Sequence, residues 1–598
     1  MRRLLLVLVV LLLACLTLPP ALAQEAEPVA PGEPLALAAD LPAGVRDAVL
    51  APGGQLVYAL LDDGTLAVLS IDDSGTLTQI DDSPFPLGGP GYTPTALALA
   101  PDGTRLYIAN QGTLQDSALT PITVFTLDPA TGYPAWLGDM GIPAQDQAIT
   151  ALTVSDDGTQ LVVGGFIDSP LAIFPAPFQE NAPETEEALT ESFGPEMAQE
   201  WINLLYERVQ ADAINAPQAA RIYGYGGVTL YEALVPGMPL NLSLAGQLNG
   251  FPDLPIPNAD QVFDWPAVGA AAMRAVLQGL MSEESAAAFT ALHDRQVAER
   301  RAATGDDVMI DASLGLGDSI GADILAWAQD DGFDVTRELT AAFEWPTGDP
   351  ALWVPTTEGR RPVEPYWGSL RPFALSYADA CAEPRTAPYS EDPQSAFYQQ
   401  ALEVKTVGDS LTPEQIAITE WWIDTPGVTG APAGHWMRIG GEVIEQLDLN
   451  LAQAAEIYGM LGMTLADTFI STWSLKYQDN LLRPVTYIQR FIDPRWQPYV
   501  ESPSFPEYPS GHSVTSAAAA DMLTSLYGAV AFTDHTHDDV AEARSYTSFE
   551  AAATEAAFSR MYGGIHYRQA IENGLRQGRC VTQNILGRVT MRRFGQNE

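Results

Sequence analysis

The hydrophobic positions along the chain follow two different periods. Between residues 39 and 177 apolar and polar residues alternate in short runs, which is the period of β-strands with one buried face. From Met197 onward apolar residues recur every three or four positions, as around Trp201 and Val209, which predicts helices. Residues 178–196 lie between the two regions, and their acidic, proline-containing composition is typical of a linker.

The alternating region repeats one unit three times, at intervals of about 50 residues. A glycine-containing turn at 52–54, 101–103 and 156–158 is each time followed by a strand-like run at 56–60, 104–108 and 159–163. These repeats resemble the YVTN or lactonase-like β-propeller blades. Three blades cannot close a ring, which typically needs four to eight. We therefore expect the repeats to associate with a second copy of the chain or to pack on the following domain, as a packing module without catalysis.

The region after Met197 predicts a large all-α helical-bundle domain over residues 197–598. One predicted helix begins near Pro217 and ends at Leu234. Further helices are predicted over 282–303, 451–476 and 513–526. A further helix is predicted from a capping box, Thr412 to Gln415, with proline at its first position.

The first 23 residues have the pattern of a secretory signal peptide. Arg2 and Arg3 precede an apolar run over 4–13, and the small residues at 21–23 are typical of a cleavage site. A second interpretation makes Cys15 the lipidated residue of a lipoprotein. After cleavage of the signal peptide, residues 24–38 would form a linker. The protein would be secreted or periplasmic, without a membrane span.

The charge balance changes the picture of partners. The 598 residues include 29 Lys and Arg against 76 Asp and Glu, for a formal net charge of −47. Such a chain lacks the cationic surface that binds nucleic acid or an anionic membrane. Only two residues are lysine, Lys405 and Lys476. Cys381 and Cys580 could form a disulfide in an oxidising compartment, and their positions in the sequence leave this open.

Three short segments near the end of the chain combine cationic, small and imidazole side chains: 476–484, 509–512 and 559–566. Lysine and arginine bind the oxygens of a tetrahedral oxyanion, and a helix N-terminus, predicted at Ser510, favours an anion as well. The histidines His512 and His566 could bond the central atom and transfer protons near neutral pH. The residues therefore predict a pocket for a phosphate-like oxyanion.

Together the segments resemble the Lys-x6-Arg-Pro, Pro-Ser-Gly-His and Ser-Arg-x5-His signature of one superfamily, that of the vanadium-dependent haloperoxidases and type-2 phosphatidic acid phosphatases. Stretches at 361–373 and 432–436 are similar to its bacterial haloperoxidase-like branch. The resemblance covers most of residues 197–590, and it implies a helical-bundle domain of the vanadium haloperoxidase type.

The resemblance implies a role for each motif residue. Vanadate or phosphate oxygens would be bound by Lys476, Arg483, Ser510, Gly511 and Arg560. His566 would bond vanadium, or attack phosphorus in a phosphatase, and His512 would be the acid–base. With vanadate as cofactor, hydrogen peroxide would oxidise a halide to hypohalous acid.

Two aromatic residues favour the peroxidase. Trp473 and Phe505 hold positions similar to those of the aromatic residues on the halide side of haloperoxidase pockets, although both could equally be core residues.

One position departs from the superfamily pattern. An aspartate that orients the second histidine often follows it by four residues, and here Ala570 holds that position. Gln569 and Glu572 are the candidate substitutes. The departure weakens a phosphatase more, because a histidine nucleophile needs an acceptor for its other nitrogen.

The sequence thus favours an exported haloperoxidase. One alternative is an acid phosphatase that forms a phosphohistidine in the same pocket. Another is a non-catalytic extracellular binding protein, for which Ala570 is the only support.

A second histidine-rich segment, residues 534–539, permits two interpretations. It could bind a divalent cation, or it could be an acidic loop near the pocket; we expect the loop, since no fixed ligand spacing is met. His435 is expected to be structural.

Overall fold

The computed structural model describes residues 36–37, 44–72, 76–80, 83–87, 93–111, 120–127, 131–142, 149–155, 160–164, 171–175, 188–258, 261–538 and 541–592. The predicted signal peptide, Cys15 and the turn at 156–158 lie outside these residues.

The first part of the described chain consists of strands. They are β1 Ala36–Leu37, β2 Val45–Leu50, β3 Leu56–Leu61, β4 Thr65–Ile71, β5 Thr76–Gln79, β6 Phe85–Pro86, β7 Thr93–Leu99, β8 Arg105–Gln111, β9 Thr120–Leu127, β10 Pro134–Ile142, β11 Ala151–Val154, β12 Gln160–Gly164 and β13 Leu171–Pro175. Three sheets result, in the orders β1-β5-β4-β3-β2 with β6 beside β4, β10-β9-β8-β7, and β11-β12-β13. Their strands pair antiparallel except for the short β1–β5 pair.

Apolar layers join successive sheets. Leu60 and Val68 of the first sheet share a buried cluster with Leu106 and Phe125 of the second. The second sheet shares another cluster with β12, through Leu161. The expected strands after the three turns are present as β3, β8 and β12, so the prediction of antiparallel β structure in this region is confirmed.

In the remainder the regular secondary structure is almost entirely helical, with long irregular segments before α3 and before α7. The helices are α1 Glu196–Ala211, α2 Ala216–Leu234, α3 Trp265–Leu280, α4 Glu283–Thr304, α5 Asp307–Gln329, α6 Phe333–Ala341, α7 Ala396–Gly408, α8 Pro413–Trp421, α9 Ala431–Gln446, α10 Leu451–Asp479, α11 Pro484–Phe491, α12 Gly511–Tyr527, α13 Phe549–Tyr562 and α14 Arg568–Leu586. One hairpin interrupts them, β14 Phe532–Asp534 with β15 Arg544–Tyr546. The predicted helical bundle is confirmed, including the capping box at Thr412, where Thr412 and Gln415 bond each other's backbone N–H.

Helix α10 runs through the core against α2, and glycines allow their close approach. A Cβ on Gly227 would lie 2.2 Å from the carbonyl oxygen of Tyr458, and one on Gly462 would lie 2.7 Å from that of Tyr223. Side chains at these positions would force the two helices apart. Because α10 carries Lys476 in its last turn, this packing fixes one side of the predicted pocket.

Two further contacts join distant segments of the helical part. Thr190, within the predicted linker, is buried and donates a hydrogen bond to the carbonyl of Leu234 at 3.1 Å. The end of that linker is therefore packed against α2. Cys381 and Cys580 form a disulfide that joins an irregular segment to α14 across 199 residues of sequence.

Among the described residues, no helix is both long enough and apolar enough to cross a membrane.

The disulfide gives a stability prediction. A cross-link across a loop of this length restricts the unfolded chain, which stabilises the fold by up to about 5 kcal/mol in the chain-entropy description. We expect the double variant Cys381→Ala/Cys580→Ala to unfold at a clearly lower urea concentration than the oxidised protein. Reducing the unchanged protein is the matched control and should give the same shift. Equal midpoints for oxidised and reduced protein would contradict the prediction.

Candidate active site

A cavity of about 570 Å³ lies where α10, α12, α13 and the segment before α14 meet. Six of the nine predicted site residues line it: Trp473, Phe505, Gly511, His512, Arg560 and His566. The other three, Lys476, Arg483 and Ser510, are fully buried next to these residues and do not line the cavity.

His566 is held in one orientation by two neighbours. Its Nδ1 lies 2.9 Å from Oε1 of Glu507, and its Nε2 lies 3.3 Å from Nη1 of Arg483. Because a guanidinium can only donate, Nε2 must be the acceptor and Nδ1 must carry the proton. Burial, reinforced by the charges of Arg483 and Lys476, lowers the pKa of His566 well below its ordinary value. The ring is therefore neutral, and the lone pair of Nε2 faces Nη1 of Arg483, a contact that a bound ligand would replace.

Glu507 makes the contact that orients His566, which the superfamily pattern assigns to an aspartate at the position of Ala570. The two candidate substitutes, Gln569 and Glu572, do not make this contact. Gln569 accepts the N–H of Ala387 at 3.0 Å, and Glu572 lies 3.4 Å from Arg568. Ala570 itself contributes only its carbonyl, which accepts the N–H of Ser510 at 3.1 Å.

The carboxylate of Glu507 comes from the loop before α12, 59 residues earlier in the chain than His566. It also accepts the N–H of Tyr567 at 2.9 Å. Burial raises the pKa of Glu507 to about 8, while this hydrogen bond and the charges of Arg483 and Lys476 act in the opposite direction. The one local signal for Glu507 was an acidic residue placed between two prolines, two positions before the Pro-Ser-Gly-His motif.

Three cationic side chains are buried around His566. Nζ of Lys476 donates to the carbonyls of Pro506 at 3.2 Å, Glu507 at 3.0 Å and Pro509. Arg483 donates to the carbonyls of Phe505 and Ile565, each at 3.0 Å. Arg560 donates from Nη1 to the carbonyl of Trp422 at 2.8 Å. Carbonyl dipoles thus stabilise these cations in place.

Backbone carbonyls do not satisfy every donor of this group. Among the described residues, Nη2 of Arg483 and Nε of Arg560 are buried without a hydrogen-bond partner. A buried charged donor without an acceptor is costly. Burial also lowers the pKa of Lys476, Arg483 and Arg560. A bound anion would supply acceptors and favour the charged forms, so these residues fit vanadate or phosphate.

The N-terminus of α12 adds donors from the backbone. Ser510 is the N-cap, and its Oγ accepts hydrogen bonds from the N–H and the hydroxyl of Ser513. Its own O–H remains able to donate. Gly511 is the first residue of the helix, where the backbone N–H has no partner within the helix. This confirms the predicted helix start at Ser510.

His512 follows directly and lines the cavity. Its Nε2 has no hydrogen-bond partner among the described residues and lies 3.7 Å from Oδ2 of Asp424. Burial, together with the charge of Arg560, lowers the pKa of His512 to about 4, although Asp424 acts in the opposite direction. A neutral imidazole next to a carboxylate is suited to accept and return a proton.

Trp473 and Phe505 form one wall of the cavity. Their ring centroids are 5.0 Å apart, and the indole N–H of Trp473 donates to the carbonyl of Val363, which also lines the cavity. Behind them, Nζ of Lys476 lies 5.0 Å from the centre of the Phe505 ring. The rings therefore shield the buried cations from solvent.

A buried cluster of acidic and histidine side chains adjoins the cavity. Nδ1 of His435 lies 3.3 Å from both carboxylate oxygens of Asp424, and its Nε2 lies 2.7 Å from Oδ2 of Asp534. His537 points Nε2 towards Oδ1 of Asp424 at 3.5 Å. Burial alone would lower the pKa of His435, but the two carboxylates raise it to about 10. The segment 534–539 thus supplies a buried histidine and a buried aspartate rather than only an acidic surface loop.

Comparison with known proteins gives matches over both regions. Residues 456–594 match the family described as the VCPO second helical-bundle domain. A bacterial vanadium-dependent iodoperoxidase of known structure is 33% identical, with a TM-score of 0.63, over 68% of this chain and 99% of that one.

Two further structures are less similar. A bacterial vanadium-dependent chloroperoxidase in its holo form is 15% identical over 63% of this chain and 94% of that one, with a TM-score of 0.48. The periplasmic gluconolactonase of Pseudomonas aeruginosa is 23% identical over 22% of this chain and 36% of that one, with a TM-score of 0.19. No curated protein sequence matches the chain.

The contact between Glu507 and His566 gives a prediction about oxyanion binding. Glu507→Gln keeps the shape of the side chain but replaces the carboxyl group that fixes the proton on Nδ1 of His566 with an amide, whose NH2 group can face that nitrogen instead. Losing such a partner typically weakens binding by about 10- to 100-fold. We expect a drop of that size in vanadate affinity, measured by equilibrium dialysis.

Glu232→Gln is the matched control, because Glu232 is an equally buried carboxylate that bonds Leu244 and Ser243 instead. Unchanged affinity in Glu507→Gln, or an equal loss in both variants, would show that the contact with His566 has no specific role.

Proposed function

This chain belongs to the vanadium-dependent haloperoxidase family, and from that premise we propose that it oxidises halide ions with hydrogen peroxide. The proposed product is hypohalous acid, and the proposed cofactor is vanadate. We also propose that the catalytic unit corresponds to residues 197–598. Its oxyanion would be held by Arg483, Ser510, Gly511, Arg560 and His566. Lys476, whose three donors bond backbone carbonyls, would act on the oxyanion through its charge.

The observation that carries the proposal is the orientation of His566 among unpaired cationic donors. Glu507 fixes the proton on Nδ1, so Nε2 carries the lone pair, which faces Nη1 of Arg483 at 3.3 Å and would bond the oxyanion in place of that contact. The free N–H groups of Arg483 and Arg560 lie in the same buried group of residues. A site with one imidazole ligand and several donors to oxygen suits vanadate.

The protein's contribution follows from these contacts. Vanadate, when bound, would act as a Lewis acid towards peroxide without changing its oxidation state. His512 would take the proton from incoming hydrogen peroxide. It would return this proton to the vanadate oxygen that the peroxide replaces, which would leave as water. Arg483 and Arg560 would neutralise the negative oxygens. Trp473 and Phe505 would bound the side from which the halide arrives and limit the access of water.

Phosphate ester hydrolysis is the second candidate, and one contact favours it. A histidine that attacks phosphorus needs an acceptor at its other nitrogen, and Glu507 provides that acceptor. The aromatic wall of the cavity and the 33% identity with an iodoperoxidase support halide oxidation as the first choice. A non-catalytic binding protein is not proposed, since Ala570 was its support and Glu507 now orients His566.

We also propose that the protein is exported, through the signal peptide at residues 1–23, with lipid anchoring at Cys15 as the alternative. The disulfide between Cys381 and Cys580 supports an oxidising compartment. The sheets within residues 39–177 are proposed to be three propeller-like blades that serve as a packing module. Their shared apolar layers support this, and a second copy of the chain would be one partner for the open edges.

The activity itself is the main prediction. Purified protein incubated with orthovanadate and hydrogen peroxide should oxidise iodide or bromide, measured by halogenation of a phenolic dye. His566→Ala should abolish turnover, because it removes the imidazole that would bond the metal. His535→Gln is the matched control, since this histidine is exposed and pairs with Asp538 outside the cavity.

Vanadate-independent release of phosphate from an aryl phosphate, with a trapped phosphohistidine at His566, would establish the second candidate instead. Absence of vanadate-dependent turnover with every halide would reject the first.

The charge of the molecule gives a prediction about salt. A protein with a net charge of −47 repels halide ions over long distances. The Debye length shortens from about 30 Å at 0.01 M to about 10 Å at 0.1 M salt. We expect the KM for halide to fall over this range of an inert salt, while the KM for neutral hydrogen peroxide stays constant. A halide KM that rises or does not change would contradict it.

A further inference from the structure

The buried cluster next to the cavity combines one short hydrogen bond with longer contacts around Asp424. Charge-assisted N–H···O bonds are typically about 2.7–2.9 Å long, and the His435–Asp534 contact has this length at 2.7 Å. On its other side, Nδ1 of His435 is 3.3 Å from both oxygens of Asp424. Nε2 of His537 is 3.5 Å from the same carboxylate. The three groups face one another without closing into tight hydrogen bonds.

These separations match the edges of a metal coordination tetrahedron. With ligand distances of about 2.0–2.1 Å, neighbouring ligand atoms around zinc lie about 3.3–3.4 Å apart. One ligand atom from each of Asp424, His435 and His537 lies within 4.8 Å of the other two. All three residues are buried.

His537 provides an independent sign of a missing partner. Its side chain is 7% exposed, and its Nε2 has no hydrogen-bond partner among the described residues. The nitrogen points at Asp424, and a cation between the two would satisfy it. Without one, the ring bears the cost of an unpaired polar atom in the interior.

The surroundings of His435 are those of a metal ligand. Its Nε2 bonds Oδ2 of Asp534, which also accepts the indole N–H of Trp421 at 2.9 Å, while Oδ1 accepts the N–H of Thr536. A carboxylate on the far nitrogen of a ligating histidine fixes the ring and raises its basicity. The ring of Trp422 stacks on His435 with centroids 4.4 Å apart, which further limits its rotation.

We propose that Asp424, His435 and His537 bind one zinc ion or a similar divalent transition-metal cation, at a site beside the oxyanion pocket, whose cavity Asp424 also lines. The ligand atoms are Oδ1 of Asp424, Nδ1 of His435, which releases its proton when the cation binds, and Nε2 of His537, and a water molecule completes the tetrahedron. Two imidazoles and one carboxylate are a ligand set that suits zinc. Oδ2 of Asp424 remains directed at His512, 3.7 Å away.

The position of the three ligands in the chain gives the ion a structural role. Asp424 follows α8, His435 lies on α9, and His537 follows β14. One ion would join these three segments beside the cavity. It would also hold Asp424 in place next to His512 and Arg560.

The test is metal binding by the full-length protein. After dialysis against a chelator, wild-type protein should take up one equivalent of Zn²⁺, measured by elemental analysis after gel filtration. Co²⁺ in the same site should give the visible absorption of a tetrahedral ion. His537→Gln and Asp424→Asn should each weaken Zn²⁺ binding by more than about 100-fold, since removing even an outer partner of a ligand costs about 10- to 100-fold.

The controls separate this site from its neighbours. His535→Gln changes the exposed histidine two residues away and should keep the full equivalent. His566→Ala should also keep it, because that residue belongs to the oxyanion pocket. Circular dichroism establishes that each variant is folded, and the Co²⁺ spectrum of wild-type protein tests the site without any substitution.

Three results would overturn the proposal: no uptake of Zn²⁺ or Co²⁺ by wild-type protein, full uptake by folded His537→Gln and Asp424→Asn, or loss of uptake in His566→Ala. Metal content is measured without turnover, so these results are independent of whether the protein oxidises halides.

Discussion

The burial of three cations at one place in a strongly acidic protein is the constraint on which the site depends. Lys476, Arg483 and Arg560 have almost no contact with solvent, and taking ions out of water costs several kcal/mol each. Backbone carbonyls from loops and helix ends stabilise them, and Glu507 is the carboxylate nearest to His566. The balance is incomplete, because two guanidinium N–H groups stay unpaired. A bound anion would supply the acceptors that these N–H groups lack.

The helical frame explains how such a group can be held. Helix ends, which leave backbone groups free, converge on the cavity from α10, α12 and α13, while the long middle of α10 is locked against α2 through glycine contacts. Asp424 faces His512 on one side and the buried histidines on the other. A movement of His435 or His537 would therefore be transmitted to His512 through the carboxylate of Asp424, so the Asp–His cluster and the oxyanion pocket are structurally coupled.

Local signals in the sequence predicted much of this arrangement, and long-range contacts account for what it missed. The helix start at Ser510 and the capping box at Thr412 depend on residues within four positions of each other, so they are readable from sequence. Glu507 reaches a histidine 59 residues away, and its spacing to the motif carries no information about that contact. Likewise Asp424, His435 and His537 come from three segments, and only folding brings them together. The apolar clusters that join the three sheets also combine residues from different repeats, so they were not predictable from the turns in the same way.

The surroundings of Lys476 have a consequence for which substitutions the fold can tolerate. Its ammonium group donates three hydrogen bonds to three carbonyls of one loop, those of Pro506, Glu507 and Pro509. An ammonium directs its three N–H bonds like the legs of a tripod, whereas a guanidinium is flat and spreads its donors in a plane. Of the 29 Lys and Arg residues in this chain only two are lysine. At position 476 the three carbonyls match the directions of an ammonium's donors, so the planar guanidinium of an arginine could not bond all three in the same way.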